Sequence, residues 1–195
     1  MWWAQLLNVI AGIHGTGVAV ATNSYESIAT VNGTGSSVSV TFSSIPSTYK
    51  HLQVRMLAAT TRGTFGIDSL LITLNGDTGT NYSWHSVYGD GSSAAAQSSA
   101  TSPAIGNPAL FGTTTTGGYG AGVLDVLDYA STNKTKVTRL LAGVDFNGTV
   151  AGYGGRVGLS SGLWNNTAAI TSITLTAENG NIANNSRFAL YGIKG

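Results

Sequence analysis

The chain has 195 residues, no cysteine, 8 acidic and 9 basic side chains, a net charge of +1 and 27 glycines, and only 9 % of its residues are charged. A chain of this length buries about 70 % of the surface its unfolded form exposes, enough for one main domain with its own core. The composition excludes disulfide staples, thiolate metal sites and thiol catalysis, and with no basic stripe to neutralise phosphates, nucleic-acid binding is not expected.

Residues 1–21, MWWAQLLNVIAGIHGTGVAVA, differ from everything after them. Trp3, Leu6, Ile10 and Ile13 recur at three-four-three spacing, and Trp2 and Val9 widen the same apolar face, the pattern of a short amphipathic helix that Gly12, Gly15 and Gly17 would end. A secretory signal would carry a basic residue before the apolar run. Two tryptophans stand there instead, although Ala19-Val20-Ala21 mimics a cleavage site. A membrane span needs about 20 apolar residues, and this run is interrupted by Gln5, Asn8 and His14. The segment therefore reads as a docking or oligomerisation element, helical or extended. It would bury Trp2, Trp3, Leu6, Ile10 and Ile13 against a partner or sister subunits, the alternative being packing on its own domain.

Residues 22–195 read as one β domain. Tyr25–Val31 opens it, followed by an Asn32-Gly33 turn signal. In Ser36–Ala58, Val38, Val40 and Phe42 alternate with Ser and Thr, and Leu52, Val54 and Met56 alternate with His51, Gln53 and Arg55, the period of half-buried strands. The connector around Pro46 suggests a hairpin between the two runs. Ile67–Leu74 is the next strand, ended by Asn75-Gly76-Asp77, and Tyr82–Gly89 follows it. Asp90–Ser102 has no periodicity and is expected to be a loop. A short apolar piece spans Ala109–Phe111. In Tyr119–Tyr129 the apolar residues Val123, Leu124, Val126 and Leu127 fall between helix and strand periods, and the turn signal Ser131–Lys134 favours a strand leading into Val137–Phe146. Gly152–Trp164 and Ala169–Ala177 suggest another hairpin, and Arg187–Ile193 closes the chain. About nine strands and no helix after residue 21 predict an all-β fold, an antiparallel two-sheet sandwich of jelly-roll type, with an immunoglobulin-like sandwich as the alternative.

Chemistry is sparse. His14, His51 and His85 are far apart and in no ligand spacing, so no metal site or cofactor is expected. Asp125 and Asp128, three apart, would point to opposite sides of a strand, which argues against a carboxylate pair; Asp68, Asp77 and Asp90 sit at turns, where they cap backbone amides. The oxygen-bearing residues Asn75, Asp77 and Asn81 have the even spacing of a calcium loop without its later glutamate. Tyr82, Trp84 and Tyr88 would share one strand face. That face is either core or, with Trp164, a platform for a saccharide.

The phrases SYESIATV (24–31), TFSSIPSTYKHLQVR (41–55), LNGDTGTNYSWHSVYGDGSS (74–93), VLDVLDYASTNKTKVTR (123–139), SGLWNNTAAITSITLT (161–176) and FALYGIKG (188–195) resemble a family of small bacteriophage virion proteins, tail-fibre, baseplate-associated or head-decoration modules. The likeness spans residues 24–195, and residues 1–21 fall outside it. It implies a non-enzymatic structural component of a phage particle, attached through its N-terminal segment to other virion proteins. A homo-oligomer, a trimer before a dimer, would contact a host surface glycan through its loops. A head-decoration protein and a secreted carbohydrate-binding module are the alternative expectations.

Overall fold

The protein is described by a computed structural model covering residues 24–106, 110–115, 117–150 and 153–195. The expected N-terminal helix and the docking residues Trp2, Trp3, Leu6, Ile10 and Ile13 lie outside the described residues.

The described chain is all-β. Its twelve strands are β1 (Tyr25–Asn32), β2 (Ser39–Phe42), β3 (His51–Thr60), β4 (Ile67–Leu74), β5 (Tyr82–Gly89), β6 (Ala94–Ser102), β7 (Leu110–Thr113), β8 (Gly120–Leu127), β9 (Lys136–Val150), β10 (Tyr153–Trp164), β11 (Ile173–Ala177) and β12 (Arg187–Ile193). Eight of them form an antiparallel ladder in the order β1-β12-β3-β8-β9-β10-β5-β6. A second antiparallel ladder is β2-β11-β4. The short β7 joins the two, pairing antiparallel with β4 and parallel with the last two residues of β3.

Period-two alternation decides which residues meet in the middle. From the large ladder come the cross-strand row Leu190, Val54, Leu124, Leu140 and its neighbours Leu52, Val126 and Phe188. From the small ladder come Val40, Phe42, Leu70, Ile72, Leu74, Ile173 and Leu175. All belong to one buried cluster. Two elements differ from the sequence expectation in how they pair. The runs flanking Pro46 are not a hairpin, because β2 pairs β11 while β3 pairs β12 and β8, so the connector carries the chain from one ladder to the other. The same holds for β10 and β11, which the turn residues Asn165-Asn166 had suggested as partners. A turn signal reports a change of direction and not the partner of the next strand.

Residues 94–102, expected as a loop, form β6, the outer edge of the large ladder. Its side chains are small and mostly exposed, so no burial alternation was there to be read; backbone pairing to β5 holds it. By contrast the Asn75-Gly76 turn is as expected. Both residues have positive φ (53° and 67°) and the Asp77 amide donates to the Leu74 carbonyl at 3.0 Å, the conformation Asn-Gly favours.

Close packing sets a steric limit at Gly192 on β12, where an added Cβ would lie 2.2–2.4 Å from ring carbons of Tyr49. Gly192→Ala is therefore expected to lower stability by about 1–3 kcal/mol. Gly63→Ala, at a position with no neighbour within 4 Å, should stay within about 0.5 kcal/mol. Urea-unfolding midpoints of the two variants check this, and equal midpoints would contradict it.

Candidate functional site: an apolar sheet face

The aromatic residues singled out in the sequence lie inside the fold. Tyr82, Trp84 and Tyr88 do share one face of β5, and that face points inward: Tyr82 and Trp164 are each 1 % exposed, and Trp84 packs against the core. Tyr82 and Trp164 stack on each other, with ring centroids 6.4 Å apart. Tyr88 is partly covered, and the Arg156 guanidinium lies 4.6 Å from its ring centre. Buried rings offer no platform to a sugar.

Asp77 explains why these rings are fixed. Its carboxylate accepts from the Trp164 indole Nε1 at 2.7 Å, from the Asn81 side-chain amide at 3.0 and 3.1 Å, and from the Gly79 amide at 2.9 Å. The Tyr82 hydroxyl accepts from the Leu74 amide and lies 3.0 Å from the Asp77 carbonyl, to which it donates. The residues with calcium-loop spacing thus form a turn whose carboxylate is taken up by protein donors. Those donors, the indole first and Asn81 next, hold the Asp77 carboxyl below its ordinary range.

Two other acidic sites are ion-paired. Asp128, in the left-handed region at φ 47°, faces Lys134 at 2.8 Å and Lys50 at 3.1 Å, and hydrogen bonding to the two lysines lowers its carboxyl to about 2. Its amide donates to His51 Nδ1 at 3.0 Å. Buried Asp68 accepts from Thr60 at 2.7 Å and from the Asn179 side chain at 3.1 Å, with Arg62 at 3.4 Å. Among the described residues no group of three or more His, Asp or Glu side chains is placed to hold a metal ion, and no helix is long and apolar enough to cross a membrane.

The unusual feature is the outward face of the large ladder. Register places Arg55, Val123, Leu141, Leu159, Val87 and Ala96 in one row across six strands. The next row is Arg187, Leu57, Ala121, Gly143, Val157, Gly89 and Ala94. The large apolar side chains in these rows are 36–57 % exposed. Arg55, Leu57, Val123, Leu141, Val157 and Arg187 rim a shallow depression of about 560 Å³, and Val87, Ala94 and Leu159 continue it toward β6. An apolar face spread over several strands is what protein interaction sites look like, whereas single exposed apolar residues are ordinary.

A polar row borders it: Tyr191, Gln53, Asp125, Arg139, Ser161 and His85. Here Gln53 donates to Asp125 at 2.8 Å, Arg139 donates to the same carboxylate at 3.1 Å, and Arg55 donates to Gln53 at 2.8 Å. Arg55 also lies about 5 Å over the rings of Tyr25 and Tyr191. Beyond this row Leu127 and Val137 are again exposed. The sequence reading weighed Asp125 and His85 singly, for acid and metal chemistry, and did not assemble these residues into a face; the signal was the mixed periodicity of Val123-Leu124 and Val126-Leu127, apolar on both faces.

Comparison with protein-family models, curated proteins and solved structures finds no match for this chain.

Asp77→Ala would leave the buried Trp164 N–H without its acceptor and should cost about 1–3 kcal/mol. Because the folded state lowers the Asp77 and Asp128 carboxyls, the stability they add is fully present above the ordinary carboxylate range. It is lost as pH falls through that range, for Asp128 toward about 2. Urea midpoints measured from pH 6 to pH 2 should fall less steeply in Asp77→Ala than in the parent; parallel curves would remove Asp77 from this account.

Proposed function

We propose that the protein is a non-enzymatic structural component of a bacteriophage particle, a jelly-roll-like sandwich module associated with the tail fibre or baseplate. The observation that carries this reading is the contiguous apolar face of the large ladder, a surface suited to contact with other protein. The resemblance of residues 24–195 to small virion proteins supplies the setting. In this reading the apolar face and the uncharged, tryptophan-bearing N-terminal segment together attach the module to other virion proteins and to its own copies, as a trimer. The loops opposite face outward to the host surface, where a glycan is the partner proposed.

A head-decoration protein would use the same surfaces and differ in position. The carbohydrate-module alternative loses its main support, since Tyr82 and Trp164 are core residues.

Purified particles of the phage encoding the chain, labelled through a C-terminal epitope and imaged by electron microscopy, are expected to carry label on the tail. Label on the head would move the protein to the decoration role, and particles without label would overturn the virion reading.

A further inference from the structure

We infer that in the free subunit the apolar outer face of the large ladder is covered by the chain's own N-terminal segment, with Trp2, Trp3, Leu6 and Ile10 seated over Val123, Leu141, Leu159 and Val157. This goes beyond the functional proposal and does not depend on it. Two strongly apolar features belong to one chain. One is the face just described. The other is a sequence with no formal charge before Glu26 and with two tryptophans near its start.

The chain enters the large ladder on the correct side. Tyr25 begins β1 opposite Ile193, and the Arg55 guanidinium packs over its ring together with that of Tyr191, so Tyr25 belongs to the outer face. The Ser24 carbonyl accepts from the Lys194 amide at 3.1 Å, which fixes the point where the segment leaves the ladder.

Reach is sufficient. From β1 to β9 is four strand positions, about 19 Å at about 4.8 Å each. From the level of Tyr25 to the row of Arg55 and Leu141 is four residues along the strands, about 13 Å, for a diagonal of about 23 Å. Residues 14–24 span up to about 36 Å when extended, which exceeds that diagonal and puts the face within range of the apolar residues ahead of His14.

A tether of this length gives an effective concentration in the millimolar range, so contact within one chain outcompetes contact between chains in dilute solution. The chemistry also matches. The face carries Arg55 and Arg187 at one rim and apolar side chains across its middle, and a segment without Lys or Arg suits that rim. Exchanging the segment between neighbouring copies would preserve the same contact in an assembly.

The absence of cysteine makes the test direct, because introduced thiols are the only ones in the chain. Full-length protein carrying Trp3→Cys with Leu141→Cys, or Leu6→Cys with Leu141→Cys, is oxidised mildly at micromolar concentration. An intrachain disulfide is expected to form about tenfold or more faster than in Trp3→Cys with Thr41→Cys, whose second thiol lies on the small ladder. Equal rates, or a bond found only between chains, would overturn the inference. A second readout needs no disulfide geometry. Alkylation of the single Leu141→Cys thiol should speed up about tenfold when Trp2→Ser, Trp3→Ser and Leu6→Ser are added, since local uncovering sets its accessibility. Unchanged alkylation in a chain that keeps its unfolding midpoint would sink the proposal.

Discussion

An antiparallel ladder eight strands wide has two faces, and three short strands cover one of them. That imbalance governs the molecule. The inner face of the large ladder meets β2, β11 and β4 and buries Leu52, Val54, Leu124 and Leu190 against Ile72, Leu74, Ile173 and Leu175 in one cluster. Burial of that kind contributes about 25 cal/mol per Å² of apolar surface and is the main favourable term in the fold. The outer face has no layer of the described chain to meet, yet β8, β9 and β10 keep apolar residues on it. A strand that faces water usually alternates apolar with polar. Here the departure from that rule runs from Leu57 on β3 through β8, β9 and β10 to Val87 on β5, a continuous stretch that a covering element could span.

Much of this architecture was legible in the sequence. The strand class, the inward positions Leu52, Val54 and Met56, the β8–β9 hairpin and the Asn75-Gly76 turn all follow from period-two patterning and turn chemistry, which act locally. What was not legible is non-local. Nothing in the spacing of β2 and β3 says that they belong to different ladders, because strand pairing is chosen by the whole set of apolar faces. The edge strand β6 was missed because Ala, Ser and Thr on an uncovered edge leave no contrast between its faces. For the candidate site, the aromatics of β5 were correctly placed on one face, and their side was undecidable from alternation alone. The outer face was visible only as an ambiguity: Val123-Leu124 and Leu140-Leu141 look neither helical nor cleanly strand-like, because a strand apolar on both sides has no period.

Buried polar groups fix the junction between the ladders. Lys136 is fully buried on β9 opposite Trp164, and its ammonium donates to the carbonyls of Lys134 at 2.7 Å and Thr167 at 2.9 Å, with burial pushing its pKa down. Trp164 in turn donates to Asp77 in the turn between β4 and β5. On the other side of the core the hydroxyl of buried Tyr129 hydrogen-bonds the Pro46 carbonyl, and the Tyr49 amide donates to it, pinning the connector that crosses between ladders. The bonds to Thr167, Asp77 and Pro46 each hold a segment that crosses between the ladders, while the bond to Lys134 stays within the β8–β9 hairpin. A buried donor without its acceptor costs more than a satisfied one contributes, so these bonds select one arrangement of the two ladders among those the apolar surfaces alone would permit.

The same logic applies to the outer face, where the polar row does what the buried bonds do inside. An apolar surface alone accepts a partner at many offsets, since burial has no direction. Gln53, Asp125, Arg139 and Arg55 form a connected chain of hydrogen bonds along one border of the apolar rows, and Arg187 stands at the β12 end of the second row. An apolar element sliding across these groups would bury them away from water and lose their solvation, a cost of a few kcal/mol for each charged group left without a partner. The apolar rows therefore supply the driving force for covering the face, and the charged borders restrict where the cover can lie. In a chain with so few charges, placing three arginines along the edges of one face gives that face a register which its valines and leucines could not set.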